Sequence, residues 1–160
     1  MKDSPWNRIF TVPEATIQLV AYLNFDGHCA EAFRFYESCL GGHLEVQTHG
    51  ESPMADQVAP AWRDRVLHAR LTIGDAVLMG SDRPPESHEA AQGFAVSISV
   101  DTPEDADRIF AALAEDGTVT MPLAESFWAF HFGMLVDRFG TPWMVNCDRP
   151  TAELAVPPRG

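Results

Sequence analysis

The sequence predicts an α+β fold in which two consecutive βαβββ modules form a curved mixed sheet with a concave groove. Strand and helix periodicities follow one another in the same order in both halves of the chain. Short stretches of the first half also recur in the second, which indicates an internal duplication. The 160 residues, 46% of them hydrophobic, are sufficient for one compact unit of this kind.

The first half predicts a strand, a helix and three further strands. The first segment is rich in strand formers and ends at Asp26-Gly27, and the next carries apolar residues at helical spacing up to Gly41-Gly42. A turn at Gly74-Asp75 predicts that the last two strands form a hairpin. The predicted elements are a strand over 17–25, a helix over 28–40 and strands over 44–49, 66–73 and 76–81.

The second half predicts the same succession. Asp101 or Thr102 is placed to cap the helix, and Pro103 suits its first turn. The predicted elements are a strand over 94–100, a helix from Pro103 to about Glu115 and strands over 119–123, 130–136 and 143–147.

Two pairs of segments support the duplication. Residues 31–36 resemble residues 105–110, a shift of 74 (105 − 31). Residues 74–82 resemble residues 140–148, a shift of 66 (140 − 74). The resulting division is a leader over 1–16, a first module over 17–82, a linker over 83–93, a second module over 94–148 and a tail over 149–160. The two modules together make one domain, residues 17–148.

Charge and composition exclude several classes of protein. The 11 basic residues against 23 acidic ones give a net charge of −12, and no Lys/Arg cluster is present to bind a nucleic acid or an anionic membrane. No apolar run approaches the roughly 20 residues that span a bilayer. The N-terminus lacks an apolar signal core, so we expect a soluble cytoplasmic protein. The three cysteines form no C-x-x-C pair and are expected to be reduced thiols.

Strand alternation predicts which side chains face the groove, because successive residues point to opposite faces of a sheet. In the third strand Leu67, Ala69 and Leu71 are expected under the helix. Leu78 and Met144 are expected as an apolar floor of the groove. The predicted groove-facing residues are Tyr22, Asn24, Gln47, His49, His68 and Arg70 from the first module, and Ser97, Ser99 and Asn146 from the second.

Some of these residues suit chemistry or ligand contact, and each also has a structural interpretation. His49 with Glu51 could be an acid–base pair or a non-standard metal site, or part of a solvated loop. His68 is a further catalytic candidate, or a hydrogen-bonded residue of an edge strand. Arg70 could hold a carboxylate or phosphate, or pair with a nearby acid.

An aromatic cluster provides another candidate. Trp128 lies among Phe127, Phe130 and Phe132, and such a cluster can pack a core, form a subunit interface or wall an aromatic ligand. No Gly-x-Ser-x-Gly elbow is present, so a serine nucleophile of that type is excluded.

Several stretches of the chain occur in the same order in a known family. They are Tyr22-Leu23-Asn24-Phe25-Asp26-Gly27, residues 49–55, Phe127-Trp128, Phe132-Gly133-Met134, residues 137–140 and residues 143–146. With the paired modules, they resemble the PhnB-like proteins of the glyoxalase/bleomycin resistance/dioxygenase, or vicinal oxygen chelate, superfamily. This resemblance implies the glyoxalase/bleomycin resistance fold over nearly the whole folded part of the chain.

The resemblance also implies where a metal centre would lie. Enzymes of this superfamily usually hold a divalent cation with four side chains from the first and last strands of each module. The matching positions here are Val20, Leu78, Ala95 and Met144, none of which is an ordinary ligand for such a cation. We therefore expect no standard metal site and no cofactor. Proteins like this one also carry a methyltransferase label, but no Gly-x-Gly-x-x-Gly turn is present to hold a methyl donor.

Three functions follow as hypotheses. The first is a small-molecule-binding protein of this superfamily without the standard metal site, whose substrate and possible reaction the sequence does not identify. The second is a metal-dependent lyase, isomerase or dioxygenase with displaced ligands such as His49, Glu51 and His68. The third is an antibiotic-sequestering resistance-type protein. A homodimer is expected in each case, because such proteins commonly pair and exposed sheet edges favour a partner.

Overall fold

A computed structural model describes residues 17–149, and both the predicted leader and residues 150–160 of the predicted tail lie outside that range. It confirms the predicted fold of two βαβββ modules. The first module comprises β1 (Ala21–Phe25), α1 (Cys29–Leu40), β2 (His43–Thr48), β3 (Val66–Ile73) and β4 (Ala76–Asp82). The second comprises β5 (Val96–Ser99), α2 (Pro103–Ala114), β6 (Thr118–Ala124), β7 (Ala129–Val136) and β8 (Pro142–Asp148). Neither helix has the length and apolar character of a membrane span.

The eight strands form two four-stranded sheets that are not joined into one. Their strand orders are β1-β4-β3-β2 and β5-β8-β7-β6. In each sheet the first strand pairs in parallel with the last, and the remaining pairs are antiparallel. Consequently β1 and β5 are edge strands, and within the described range each is paired on one side only.

Each helix covers one face of its own sheet, and the two helices also contact each other. Because Phe33 and Tyr36 of α1 and Leu113 of α2 are fully buried, the apolar faces of both helices belong to one continuous core. Tyr36 reaches across to Trp143 of β8, with 5.2 Å between ring centroids. The opposite face of each sheet is left without a helix.

A buried carboxylate organises the end of the first module. Asp82 accepts hydrogen bonds from the backbone N–H groups of Gly27, Cys29 and Val66 at 2.9, 3.0 and 2.8 Å. These bonds tie the start of α1 and the start of β3 to the end of β4. They satisfy three backbone donors and a charged group that would otherwise be buried without partners.

Asp137 has the same role in the second module. Its carboxylate accepts the backbone N–H groups of Phe139 and Thr141 at 2.8 and 3.0 Å and the indole N–H of Trp143 at 2.8 Å. The turn between β7 and β8 is thereby held against α1.

Two predicted side-chain directions are wrong. Leu67, expected under the helix, is 37% exposed, and Val66 is buried in its place because the β2–β3 register shifts between Gln47 and Thr48. Leu78, expected as groove floor, is only 5% exposed and belongs to the core. The next residue, Met79, takes the position opposite Tyr22 of β1.

Candidate functional site on the uncovered sheet faces

The uncovered face of the first sheet, which we term the first open face, is mostly polar. It carries Tyr22, Asn24, Glu45, Gln47, His68, Arg70, Met79 and Ser81. Tyr22 lies opposite Met79, which lies opposite Arg70, so these three residues share one row across the sheet. Gln47 lies opposite His68 in the neighbouring row. The structure thus brings five predicted groove residues together on one face.

Tyr22 and His68 are in direct contact on this face. The tyrosine hydroxyl lies 3.2 Å from Nδ1 of the imidazole, and the two ring centroids are 5.9 Å apart. This contact orients the histidine ring and leaves its Nε2 for another partner. A positioned hydroxyl–imidazole pair can bind a polar ligand group or exchange a proton with it.

Arg70 is a half-buried cation on the same face. It lies opposite Glu45 in the β2–β3 register, yet no residue of the described range forms a hydrogen bond or ion pair with its guanidinium. A guanidinium in this state can bind a carboxylate or phosphate through two parallel hydrogen bonds.

His49 and Glu51 lie beyond the end of β2 and have separate partners. The Glu51 carboxylate accepts bonds from the backbone N–H and hydroxyl of Thr48 at 2.8 and 2.9 Å. Both hydrogen bonds lower the pKa of Glu51, and the bond from the Thr48 backbone N–H has the larger effect. His49 instead contacts the edge of Trp62, with 6.1 Å between ring centroids. The two residues therefore do not form a hydrogen-bonded acid–base pair in this structure.

His49 and Trp62 also line a hollow of about 440 Å³ at the edge of the first open face. Its remaining lining residues are Val58, Leu67, Ser81, Asp82, Arg83 and Pro84. The exposed Leu67 gives this hollow an apolar wall.

The uncovered face of the second sheet, the second open face, is mainly apolar. Met144 lies opposite Ser97 on one side and Met134 on the other, and Met134 lies opposite Met121. In the next row Asn146 lies opposite Ser99 and Phe132. Trp128 packs against Phe132 with 5.6 Å between ring centroids. Ser97, Ser99 and Asn146 thus lie in a different sheet from the other predicted groove residues, and Trp128 directly precedes β7 of that sheet.

Asn146 is incompletely hydrogen-bonded. Its side-chain N–H donates to the Asp148 carboxylate at 2.6 Å, while its Oδ1 is buried with no partner among the described residues. A buried acceptor of this kind is usually satisfied by a water or a bound group. Asn146 therefore offers a polar anchor on an apolar surface.

A cleft at the junction of the modules contains Arg83 and His88, which the sequence interpretation did not identify as candidate site residues. Arg83 and His88 were assigned to a polar linker, but both line a cleft of about 570 Å³ that also contacts Tyr22 and Asn24. A signal for Arg83 was present. Alternation continued past β4 puts Arg83 on the side of Met79 and Ser81.

The side chains present do not fit the four-ligand metal centre of the fold. Val20, Ala95 and Met144 offer no hard donor, and Leu78 is buried under α1. Residues 17–149 contain no group of three or more His, Cys, Asp or Glu arranged to hold a metal ion. His49, Glu51 and His68 do not form such a group either.

A sequence model described as the Glyoxalase/Bleomycin resistance protein/Dioxygenase superfamily matches residues 18–145. The chain belongs to this superfamily. The chain is 33% identical over 137 residues to protein YjdN of Escherichia coli strain K12. The match covers 80% of this chain and 93% of the relative.

Solved structures resemble the chain as well. The crystal structure of protein PA1353 from Pseudomonas aeruginosa has a TM-score of 0.77 and 46% identity, covering 84% of this chain and all of that one (100%). A putative 3-demethylubiquinone-9 3-methyltransferase, PhnB protein, from Bacillus cereus has a TM-score of 0.68 and 24% identity over 82% of this chain and 99% of that one. At that identity the likeness shows the fold alone.

Proposed function

We propose that this glyoxalase-superfamily member binds a small organic molecule on its first open face without the four-ligand metal centre. The observation that carries the proposal is the contact of 3.2 Å between the Tyr22 hydroxyl and Nδ1 of His68. It presents a positioned polar pair on a face that no helix covers. Asn24, Gln47 and Arg70 extend the polar surface around that pair.

The ligand expected on this face has at least one polar or anionic group. Arg70 lacks an acidic partner among the described residues, so a ligand anion can bind its guanidinium without breaking an ion pair. The hollow beside His49 and Trp62 could hold an apolar or aromatic part of the same molecule.

We further propose a cytoplasmic homodimer. On the second open face, Met121 and Trp128 are 46% and 40% exposed, and the adjoining Phe127 is 82% exposed. A contiguous apolar surface of this kind commonly contacts another protein or a ligand. In the dimer a second copy covers this apolar surface and pairs with the edge of β1 or β5. Ser97, Ser99, Trp128 and Asn146 would then lie near the ligand bound on the first open face.

An NMR screen of a fragment library against the purified protein tests the ligand proposal. Fragments that bind should shift the resonances of Tyr22, His68 and Arg70. His68→Gln should weaken the binding of these fragments. His28→Gln is the matched control, because His28 is an exposed histidine outside the first open face. A library in which no fragment shifts these three residues, or equal loss of binding in both variants, would contradict the proposal.

Two further measurements test the other parts of the proposal. Elemental analysis of the protein as purified should find no stoichiometric transition metal, and one metal per chain would favour the metal-dependent enzyme. Sedimentation should find a dimer that Trp128→Glu weakens, while a wild-type monomer at all concentrations would contradict the dimer.

A further inference from the structure

The junction cleft contains a cationic group that the proposed function does not use. It lies between β1, residues 83–94 and the turn 139–141. Its volume of about 570 Å³ is within the range of small-molecule pockets.

Arg83 is held in place from both its backbone and its side chain. Its backbone N–H donates to the carbonyl of Phe25 at 2.6 Å, and its Nε–H donates to Oδ1 of Asn24 at 3.1 Å. No ion pair joins Arg83 to an acid of residues 17–149. The Asn24 bond orients the guanidinium while its two terminal nitrogens stay free, which is the arrangement that grips an oxyanion bidentately.

His88 supplies an independent indication in the same cleft. Its Nδ1 is buried and has no hydrogen-bond partner among the described residues. Buried ring nitrogens are normally paired, so the unpaired atom indicates a missing water or ligand group. Gln92 adds a further amide donor to the lining, whereas the Glu89 carboxylate would repel an anion close to it.

We propose that the junction cleft binds the carboxylate or phosphate group of a small organic acid, gripped by the guanidinium of Arg83. Asn24 positions that guanidinium, and the apolar body of the ligand lies against Phe94 and Phe139. The cleft shares Tyr22 and Asn24 with the first open face, but its anion contact, Arg83, takes no part in the Tyr22–His68 contact, so Arg83 variants test it independently of the proposed function.

Titration calorimetry and NMR with three probes test the site. Benzoate, phenyl phosphate and neutral benzamide share an aromatic ring and differ in charge. We expect benzoate or phenyl phosphate to bind and to shift the resonances of residues 83–92, with benzamide at least about tenfold weaker. Preference for one anion would distinguish carboxylate from phosphate recognition. Failure of both anions to bind, or equal binding of benzamide, would overturn the proposal.

Matched variants separate a specific site from general charge attraction. Arg83→Gln should weaken anion binding about tenfold or more, whereas Arg34→Gln, which removes an exposed cation of α1, should leave it unchanged. Arg83→Lys keeps the charge but loses the planar fork, and severalfold weaker binding is expected. This second variant also serves if Arg83→Gln does not fold. Equal losses at positions 83 and 34, or full binding by Arg83→Lys, would refute the site.

Discussion

The hydroxyl of Tyr36 lies 2.9 Å from Oγ1 of Thr141, and this hydrogen bond joins α1 of the first module to the turn before β8 of the second. Both residues are buried, with 0% and 3% of their surface exposed. Burial is the main cause that raises the pKa of Tyr36, and the charge of the nearby Asp137 carboxylate is the second. The hydroxyl therefore stays neutral in the folded protein. Tyr36 also contacts the rings of Phe139 and Trp143, so this bond adds a polar link to an otherwise aromatic contact between α1 and the second module.

Removing that hydroxyl should destabilise the protein. Tyr36→Phe leaves the buried Thr141 hydroxyl unsatisfied, and we expect the free energy of unfolding to fall by about 1–3 kcal/mol in urea denaturation. The double variant Tyr36→Phe/Thr141→Val removes both partners and should lose less than the sum of the two single variants. Additive losses would show that the hydrogen bond does not couple the modules.

The Asp82 carboxylate should be among the most sensitive positions. Asp82→Asn replaces one acceptor oxygen by an N–H₂ group, which cannot accept all three backbone donors that the carboxylate binds. We expect a loss of about 3 kcal/mol or more in the free energy of unfolding. Asp75→Asn, in the exposed β3–β4 turn, is the control and should change stability by less than about 0.5 kcal/mol. Similar melting temperatures for both variants would disagree with this assignment.

The cysteines should be inert in the native protein. The chain has three, and Cys29, Cys39 and Cys147 are free and buried. Burial raises the pKa of all three thiols, so little reactive thiolate forms. Titration with a thiol reagent should give almost no reaction under native conditions and three thiols in denaturant. Rapid native labelling would mean that at least one cysteine is accessible.

Stability should also decline at alkaline pH. The folded pKa values of Tyr36 and Cys29 are raised, whereas in the unfolded chain they ionise near pH 10 and about pH 8.5 respectively. The contribution of these two groups to the free energy of unfolding is fully present below their unfolded pKa values. It is lost as pH rises, because the unfolded state then binds fewer protons than the folded state. Urea midpoints should therefore be lower at pH 10 than at pH 8, and the fall should be smaller in Cys29→Ala. A midpoint that rises across this interval would contradict the prediction.

Periodicity predicted which side chains share the first open face, because alternation is a local property of a strand. It placed Tyr22 and His68 on one face, and the structure brings their side chains into contact. It failed at Leu67, which the register shift between β2 and β3 leaves out of the strand pairing. It also failed at Leu78, because the repeat alignment with a shift of 66 pairs it with Met144. The faces instead match Met79 with Met144, a shift of 65 (144 − 79).

Arg83 and His88 were missed for another reason. They lie in a segment whose composition is that of an ordinary polar linker, and their surroundings come from residues distant in the chain. The bond from Arg83 to Asn24 spans 59 positions, which local patterns do not report. Arg70 shows the complementary case, because its type and face were predictable but its lack of an ion pair was not.

The order of strands and helices, the duplication and the superfamily followed from the sequence alone, because each depends on local periodicity and on short motifs in a fixed order. Tertiary structure alone decided that the strands form two separate sheets, that Tyr36 bonds to Thr141 across the modules, and that Arg83 faces a cleft beside His88. The physical reason is that hydrogen bonds and burial depend on distances in space, and residues far apart in the chain meet only when the two modules pack together.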